Sequence, residues 1–225
     1  DMYTLSKNVA AGNKYTNKVF ILDANISELS LENFTPIGTS TYPFEGTFDG
    51  NGVNFKINNV ETSLDNQGLF GVINNATIEN LSVSGTIQGR NYVGSIVGNQ
   101  ISGNVRNVYS TANIIASGNY AGGIVGYLRK GSVINSFYMG EVLANYYAAG
   151  IVGGALNNNT ISNTYSAGKV SAVSTPHGIV NEMDARSLVR NNNYYDVTVI
   201  AYYMQKRALK PATTQTTQAI NSGVL

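Results

Sequence analysis

Apolar residues recur in short triplets along the middle of the chain, at an almost constant interval. The triplets are Leu69-Phe70-Gly71, Ile96-Val97-Gly98, Ile124-Val125-Gly126, Ile151-Val152-Gly153 and a degenerate copy, Ile179-Val180-Asn181. Successive copies are 27, 28, 27 and 28 residues apart. A fixed period of this length is typical of proteins built from stacked structural repeats.

Two further columns of residues keep the same interval. The first is an apolar residue, a spacer and an asparagine, and its asparagines are Asn80, Asn107, Asn135, Asn163 and Asn191. The second is an apolar residue, a spacer and a small residue, and it begins at Ile87, Ile114, Val142 and Val170. Because strand side chains alternate between faces, the first and third residues of each triplet share one face.

Each repeat therefore contains about three short strands, separated by glycine or asparagine turns. No repeat carries a long apolar pattern of period 3.6, and a propeller blade needs about 40 residues or more. Stacking such repeats buries a continuous core that one repeat alone cannot bury. We therefore predict an all-β fold, a right-handed parallel β-helix of about five coils with capping elements at both ends.

The two ends of the chain depart from the repeat, and solenoids need capping at their termini. We expect residues 1–40 to form an N-terminal cap, with a short helix ending near Gly12, and the first coil. Residues 41–196 are predicted to form the β-helix repeats. Residues 197–225 are predicted to form a C-terminal cap or exit segment.

Stacking turns the columns into ladders that run along the solenoid. The five asparagines are expected to bond amide to amide and to accept the left-handed backbone conformation of a corner. Three aromatic residues lie two positions later, and we expect Tyr109, Phe137 and Tyr165 to stack. Glu79 and Arg106 are expected to pair between neighbouring coils.

Composition limits the possible partners. The 225 residues carry a net charge of +1, only 12% are charged, and no basic run exists, which argues against nucleic acid. No apolar run approaches about 18 residues, so membrane insertion is not expected. The chain has no cysteine, and it opens without a signal peptide or initiator methionine. We interpret it as a fragment of a larger chain.

Several of these segments resemble the GLUG repeat family. The segments are Thr35-Pro36-Ile37-Gly38, the turn-rich 44–52, Gly68-Leu69-Phe70-Gly71 and the later Ile-Val-Gly copies. The resemblance implies a β-helix located outside the cell or on the surface of a bacterium. The family includes adhesin-like proteins and non-catalytic regions of immunoglobulin A-cleaving metallopeptidases, and it brings no catalytic residues. Asn181 departs from the pattern where glycine is expected.

Catalytic residues, metal ligands and cofactors are not expected. The only histidine, His177, lies in a turn, where Glu182 and Asp184 are its nearest acidic neighbours in sequence. One histidine without cysteine cannot make an ordinary zinc site. The acids are dispersed, whereas glycan cleavage needs a close pair of carboxylates or calcium ligands. The segment 49–52 is better explained as a tight turn than as a calcium loop. A carbohydrate-active β-helix enzyme remains an alternative.

One column is a candidate for binding. Tyr92, Tyr120 and Tyr147 precede the Ile-Val-Gly triplets, with Asn91 and Asn119 beside two of them. They form either a stabilising aromatic stack or a strip that binds a neutral glycan or a host protein. We therefore expect a non-catalytic module that acts in adhesion, ligand binding or spacing. An accessory domain of a surface metallopeptidase is a further alternative.

Overall fold

The computed structural model describes residues 1–59, 63–174, 176–183, 188–189, 193–196 and 200–202. Over this part of the chain it is a parallel β-solenoid of about six turns, with one short helix. This confirms the predicted parallel β-helix and adds about one turn to it. The addition arises because the segments 19–32 and 47–59 also stack, although they lack the Ile-Val-Gly triplet.

The strands are short, and they follow the helix α1 (Met2–Ala10) in chain order. They are β1 (Val19–Ile21), β2 (Glu28–Glu32), β3 (Thr47–Asp49), β4 (Asn54–Asn59), β5 (Phe70–Ile73), β6 (Ala76–Gly89), β7 (Val93–Gly94), β8 (Val97–Gln100), β9 (Gly103–Ser110), β10 (Asn113–Ala116), β11 (Ala121–Gly122), β12 (Val125–Leu128), β13 (Ser132–Tyr138), β14 (Glu141–Ala144), β15 (Ala148–Ala149), β16 (Val152–Ala155), β17 (Thr160–Ser166), β18 (Lys169–Ala172), β19 (Val180–Met183), β20 (Leu188–Val189), β21 (Tyr194–Tyr195) and β22 (Ile200–Tyr202).

These strands form three parallel sheets. The largest has fourteen strands and runs along the solenoid, the second contains β5, β8, β12, β16 and β19, and the third contains β7, β11 and β15. The register joins equivalent positions of neighbouring repeats: Phe70 pairs with Val97, Val97 with Val125, and Val125 with Val152. The period of 27–28 residues in the sequence is therefore one turn of the solenoid.

The core lies inside the coils and is built by the inward side of each column. Ile78, Val105, Val133 and Ile161 are register partners, and all four are fully buried. Burying such a side chain contributes about 1.5–3 kcal/mol relative to exposure. Tyr138 is the largest fully buried side chain among the described residues and lies in the same core.

The helix α1 covers the first coil. Its residues Met2, Leu5 and Val9 are buried, and the Ser6 hydroxyl donates to the carbonyl oxygen of Thr35 across 2.7 Å. Asp1 caps the helix by accepting from the backbone N–H of Tyr3.

At the other end, β22 pairs with β18 in the large sheet. The remainder of the predicted exit segment 197–225 lies outside the described residues.

Candidate functional site: the outward-facing columns

The asparagine ladder runs along the outer surface of the large sheet. The Nδ2 atoms of Asn107, Asn135 and Asn163 each donate to the Oδ1 atom of the asparagine one coil earlier, at 3.2, 3.2 and 3.0 Å. The Nδ2 atom of Asn80 extends this row of hydrogen bonds by one coil, because it donates to Oδ1 of Asp49 at 3.1 Å. Asn191, the fifth predicted member, lies outside the described residues.

Backbone conformation explains why these positions are asparagine. Asn80, Asn107, Asn135 and Asn163 have φ values of 55°, 53°, 50° and 54°. This left-handed region costs most residues about 1–2 kcal/mol, whereas asparagine adopts it readily. Each asparagine therefore forms a corner in the strand, with its side chain on the outside, and the last three are exposed to solvent.

A ladder amide still has bonding capacity. A primary amide has two N–H donors and two acceptor lone pairs, and the ladder uses one of each. Within the described part of the chain, Asn107 and Asn135 each keep one donor and one lone pair beyond the ladder contacts. Both residues are exposed to solvent.

An exposed aromatic column runs beside the ladder, two residues after it. Tyr109, Phe137 and Tyr165 are 41%, 39% and 41% exposed. The rings of Tyr109 and Phe137 are stacked, with centroids 4.9 Å apart and planes 5° apart. Among the described residues the stack ends at Phe137, because Tyr165, its register partner, makes no ring contact with it.

A shallow depression opens where this stack ends. Its volume is about 530 Å³, and it is lined by Asn135, Ser136, Phe137, Asn163, Thr164, Tyr165 and Tyr194. None of these seven residues carries a formal charge at neutral pH. The sequence pattern indicated the ladder and the aromatic column separately. It did not indicate that they enclose one depression, because Tyr194 lies in the degenerate last coil.

The predicted tyrosine column is also formed, but it is half-buried. The ring of Tyr120 stacks on those of Tyr92 and Tyr147, with centroids 5.6 and 4.8 Å away. Tyr127, which is buried, packs against Tyr120 at 4.7 Å and against Tyr92 at 5.2 Å. The guanidinium of Arg129 lies 5.6 Å from the Tyr127 ring centroid. Much of the aromatic surface in this column is therefore covered by the protein itself.

The two asparagines beside this column have structural contacts. Asn91 donates its backbone N–H and its Nδ2 to the carboxylate of Asp65, at 3.1 and 3.0 Å. Its own Oδ1 accepts from the backbone N–H of Asn119 at 2.8 Å. Arg90 forms two hydrogen bonds to the same carboxylate, at 2.9 and 3.0 Å. The hydrogen bonds from Arg90 hold the pKa of Asp65 below its ordinary range, and those from Asn91 add to this.

Most of the described carboxylates lie in contacts that join coils or close turns, and Asp1 caps α1. Ion pairs link Lys14 to Glu45, Arg90 to Asp65, Arg106 to Glu79 and Lys169 to Glu141. Burial raises the pKa of Glu45, but hydrogen bonds from Thr16, Lys14 and Asn74 outweigh this and lower it.

Among the described residues, no three acidic, histidine or cysteine side chains are grouped as metal ligands. Asp49 accepts from the backbone N–H of Asn51 at 2.9 Å, which closes the tight turn at 49–52.

His177 lies at the edge of a late coil. Its backbone N–H donates to the carbonyl oxygen of Ala148, and its Nδ1 lies 3.0 Å from the carbonyl oxygen of Val180. Loss of hydration around the ring lowers the pKa of His177, so the neutral form is favoured. Asp184 and the side chain of Glu182, the acids proposed as its partners, lie outside what the structure describes.

The fold and these columns define a parallel β-solenoid with ladders on its outer faces. No protein-family model and no curated protein sequence matches the chain. The chain is similar in fold to the crystal structure of a candidate immunoglobulin A1 protease from Bacteroides ovatus. The TM-score is 0.69 at 18% identity, and the match covers 92% of this chain and 78% of the other. At this identity the likeness shows the fold. Among the described residues, no helix has the length and apolarity needed to cross a membrane.

Proposed function

We propose that this chain is a non-catalytic β-helical module of a larger bacterial secreted or surface protein. In that protein it acts in adhesion or ligand binding, or it holds other domains apart. It needs no cofactor for this role. A stack of short coils is suited to both tasks, because each coil is held by its neighbours and presents the same surface positions repeatedly.

The observation that carries this proposal is the use of the carboxylates. Nine described acids accept a hydrogen bond from a neighbouring coil, from a turn or, for Asp1, from the helix N-terminus; they are Asp1, Asp23, Glu28, Glu32, Glu45, Asp49, Asp65, Glu79 and Glu141. A catalytic acid requires a raised pKa, which burial without a partner would produce. The pKa of Asp65 is instead lowered by hydrogen bonds from Arg90, and the pKa of Glu45 is lowered because its hydrogen bonds outweigh burial.

The extracellular location is supported by two features. The segments 35–38, 44–52 and 68–71 resemble GLUG repeats, which are typical of bacterial surface and secreted proteins. The solenoid is similar in fold to a candidate immunoglobulin A1 protease from Bacteroides ovatus, a name that fits a secreted protein. We also propose that the chain is a member of the GLUG repeat family.

A cleavage assay tests the non-catalytic role. The purified chain is incubated with immunoglobulin A1 and, separately, with polygalacturonate and neutral polysaccharides, and the products are analysed by electrophoresis and chromatography. We expect every substrate to stay intact, as in parallel incubations with heat-denatured protein. Turnover that is lost in His177→Ala would contradict the proposal and favour a carbohydrate-active or proteolytic enzyme.

An accessory role in a surface metallopeptidase is the second candidate, and the fold likeness favours it. The test is the sequence of the parent gene on both sides of this segment. A downstream His-Glu-x-x-His motif would assign the module to a metallopeptidase, and a cell-wall anchor without that motif would assign it to an adhesin.

A further inference from the structure

We infer that the depression between the asparagine ladder and the exposed aromatic column binds a neutral glycan. This inference rests on the proposed binding function and names its ligand class. The site is centred on Phe137 and Tyr165, with the amides of Asn135 and Asn163 along one side. It differs from the column of Tyr92, Tyr120 and Tyr147, in which the rings of Tyr92 and Tyr120 pack against Tyr127 and the ring of Tyr147 stacks on Tyr120.

The depression combines the two surfaces that a sugar ring presents. A pyranose has an apolar face of C–H groups, which packs on an aromatic ring, and a rim of hydroxyls, which both donate and accept. Phe137 and Tyr165 are about two-fifths exposed and line the depression. Asn135 contributes the donor and the lone pair that the ladder leaves unused. The volume of about 530 Å³ lies in the range of small-ligand sites.

Two hydroxyl groups in the depression already donate hydrogen bonds within the protein. Other groups must therefore supply the polar contacts to a ligand. The hydroxyl of Ser136 donates to the carbonyl oxygen of Ile134 at 2.8 Å, and that of Thr164 donates to Asn193 at 2.8 Å. Both residues are buried. The floor of the depression is therefore fixed, and the Asn135 amide and the aromatic side chains supply the contacts.

Other ligand classes lack the chemistry they need here. An acidic polymer or a single-stranded nucleic acid requires cationic side chains, and none of the seven lining residues is charged. A peptide that adds as a strand requires a free sheet edge, but β13 is paired with β9 on one side and with β17 on the other. A neutral glycan needs neither charge nor an edge.

The test uses the whole 225-residue chain and a panel of defined glycans. The panel contains tetrasaccharides to hexasaccharides of glucose, galactose, mannose and N-acetylglucosamine, sialylated counterparts, and polygalacturonate. Binding is measured by titration calorimetry, and folding is checked by circular dichroism. We expect at least one neutral oligosaccharide to bind and to be preferred over the acidic members.

The variants separate the site from the fold. Phe137→Leu and Tyr165→Leu keep apolar bulk but remove the aromatic face, and each should weaken binding about tenfold or more. Phe137→Tyr keeps the ring and should retain binding. Tyr146→Leu is the matched control, because Tyr146 is 54% exposed and does not line the depression, and it should bind as wild type does.

Three outcomes would overturn the inference: wild type binds no neutral oligosaccharide, acidic glycans bind more tightly, or both leucine variants bind at full strength. Chromatography of each glycan after incubation distinguishes failure of the inferred glycan site from failure of the proposed non-catalytic function. A cleaved glycan contradicts the non-catalytic role. A glycan that is intact but unbound contradicts only the site.

Discussion

The hydroxyl of Tyr138 donates a hydrogen bond of 2.9 Å to the carbonyl oxygen of Ala112, inside the solenoid. The register partners of Tyr138 are Ser110 and Ser166, which are much smaller. Room for the ring also comes from three glycines, since a Cβ added to any of them would lie 2.3–2.8 Å from a Tyr138 atom; they are Gly123, Gly140 and Gly168. The core at this level is therefore one large residue fitted among small ones.

Replacing Tyr138 with phenylalanine tests the buried hydrogen bond. The variant keeps the ring but deprives the Ala112 carbonyl of this donor, so the free energy of unfolding should fall by about 1–2 kcal/mol. Urea unfolding followed by circular dichroism measures the change. Tyr109→Phe is the control, because Tyr109 is exposed, and it should leave the midpoint unchanged. Equal effects of both changes would show that burial of the hydroxyl is unimportant.

The same residue predicts the response to alkaline pH. Burial, and then the charge of Glu141, raise the pKa of Tyr138 well above its ordinary value of 10. A pKa raised by folding means that the stabilisation is complete below pH 10 and is lost as the pH rises towards the folded value. Wild-type stability should therefore decline above pH 10, and Tyr138→Phe should decline less steeply. Parallel profiles for the two proteins would contradict this assignment.

The asparagine ladder predicts that glycine and leucine substitutions at Asn135 lower the free energy of unfolding by different amounts. Asn135→Gly removes both ladder hydrogen bonds but tolerates the φ of 50°, so it should cost about 1 kcal/mol at this exposed position. Asn135→Leu removes the same bonds and adds about 1–2 kcal/mol of backbone strain. Chemical denaturation of both variants gives the comparison. A leucine variant as stable as the glycine variant would show that backbone conformation does not select asparagine here.

The contact between Asp65 and Arg90 predicts the response to acid. Hydrogen bonds from Arg90 hold the pKa of Asp65 below its ordinary value of 3.8, so the stabilisation exists above that value and is lost as the pH falls through the folded pKa. Asp65→Asn should be less stable than wild type at pH 7, and the difference should disappear at lower pH. Thermal midpoints measured from pH 7 to pH 2 test this.

Glu28→Gln is the control for losing one negative charge, because Glu28 is exposed and its amide replacement can still accept from Asn54. Its thermal midpoint should stay close to that of wild type at neutral pH. A loss as large as that of Asp65→Asn would attribute both effects to net charge.

The repeat was readable from the sequence because each column performs one local task. Valine and isoleucine at inward positions fill the core, and asparagine at the corners adopts the positive φ that these positions require. The position of a residue within the repeat therefore determines its type. Glu79 and Arg106 pair across neighbouring coils as their spacing of 27 predicts. Asp65 and Arg90 were not predicted as a pair, because the loops between strands vary in length and shift their spacing to 25. The role of Tyr138 was also hidden, since it depends on glycines from other parts of the coils.

Tyr120 should prove to be a structural residue and not a binding residue. Its ring is stacked between Tyr92 and Tyr147 and packed against Tyr127, so Tyr120→Ala removes three aromatic contacts at once. We expect a loss of about 2–3 kcal/mol in the free energy of unfolding, less than for a fully buried ring because the column is half-exposed. Tyr120→Phe keeps the stack and should remain close to wild type. Any neutral oligosaccharide that wild type binds should bind folded Tyr120→Ala equally well, as measured by titration calorimetry at a temperature where the variant is folded. If Tyr120→Ala is as stable as wild type but loses the glycan, this column, and not the depression at Phe137, is the binding surface.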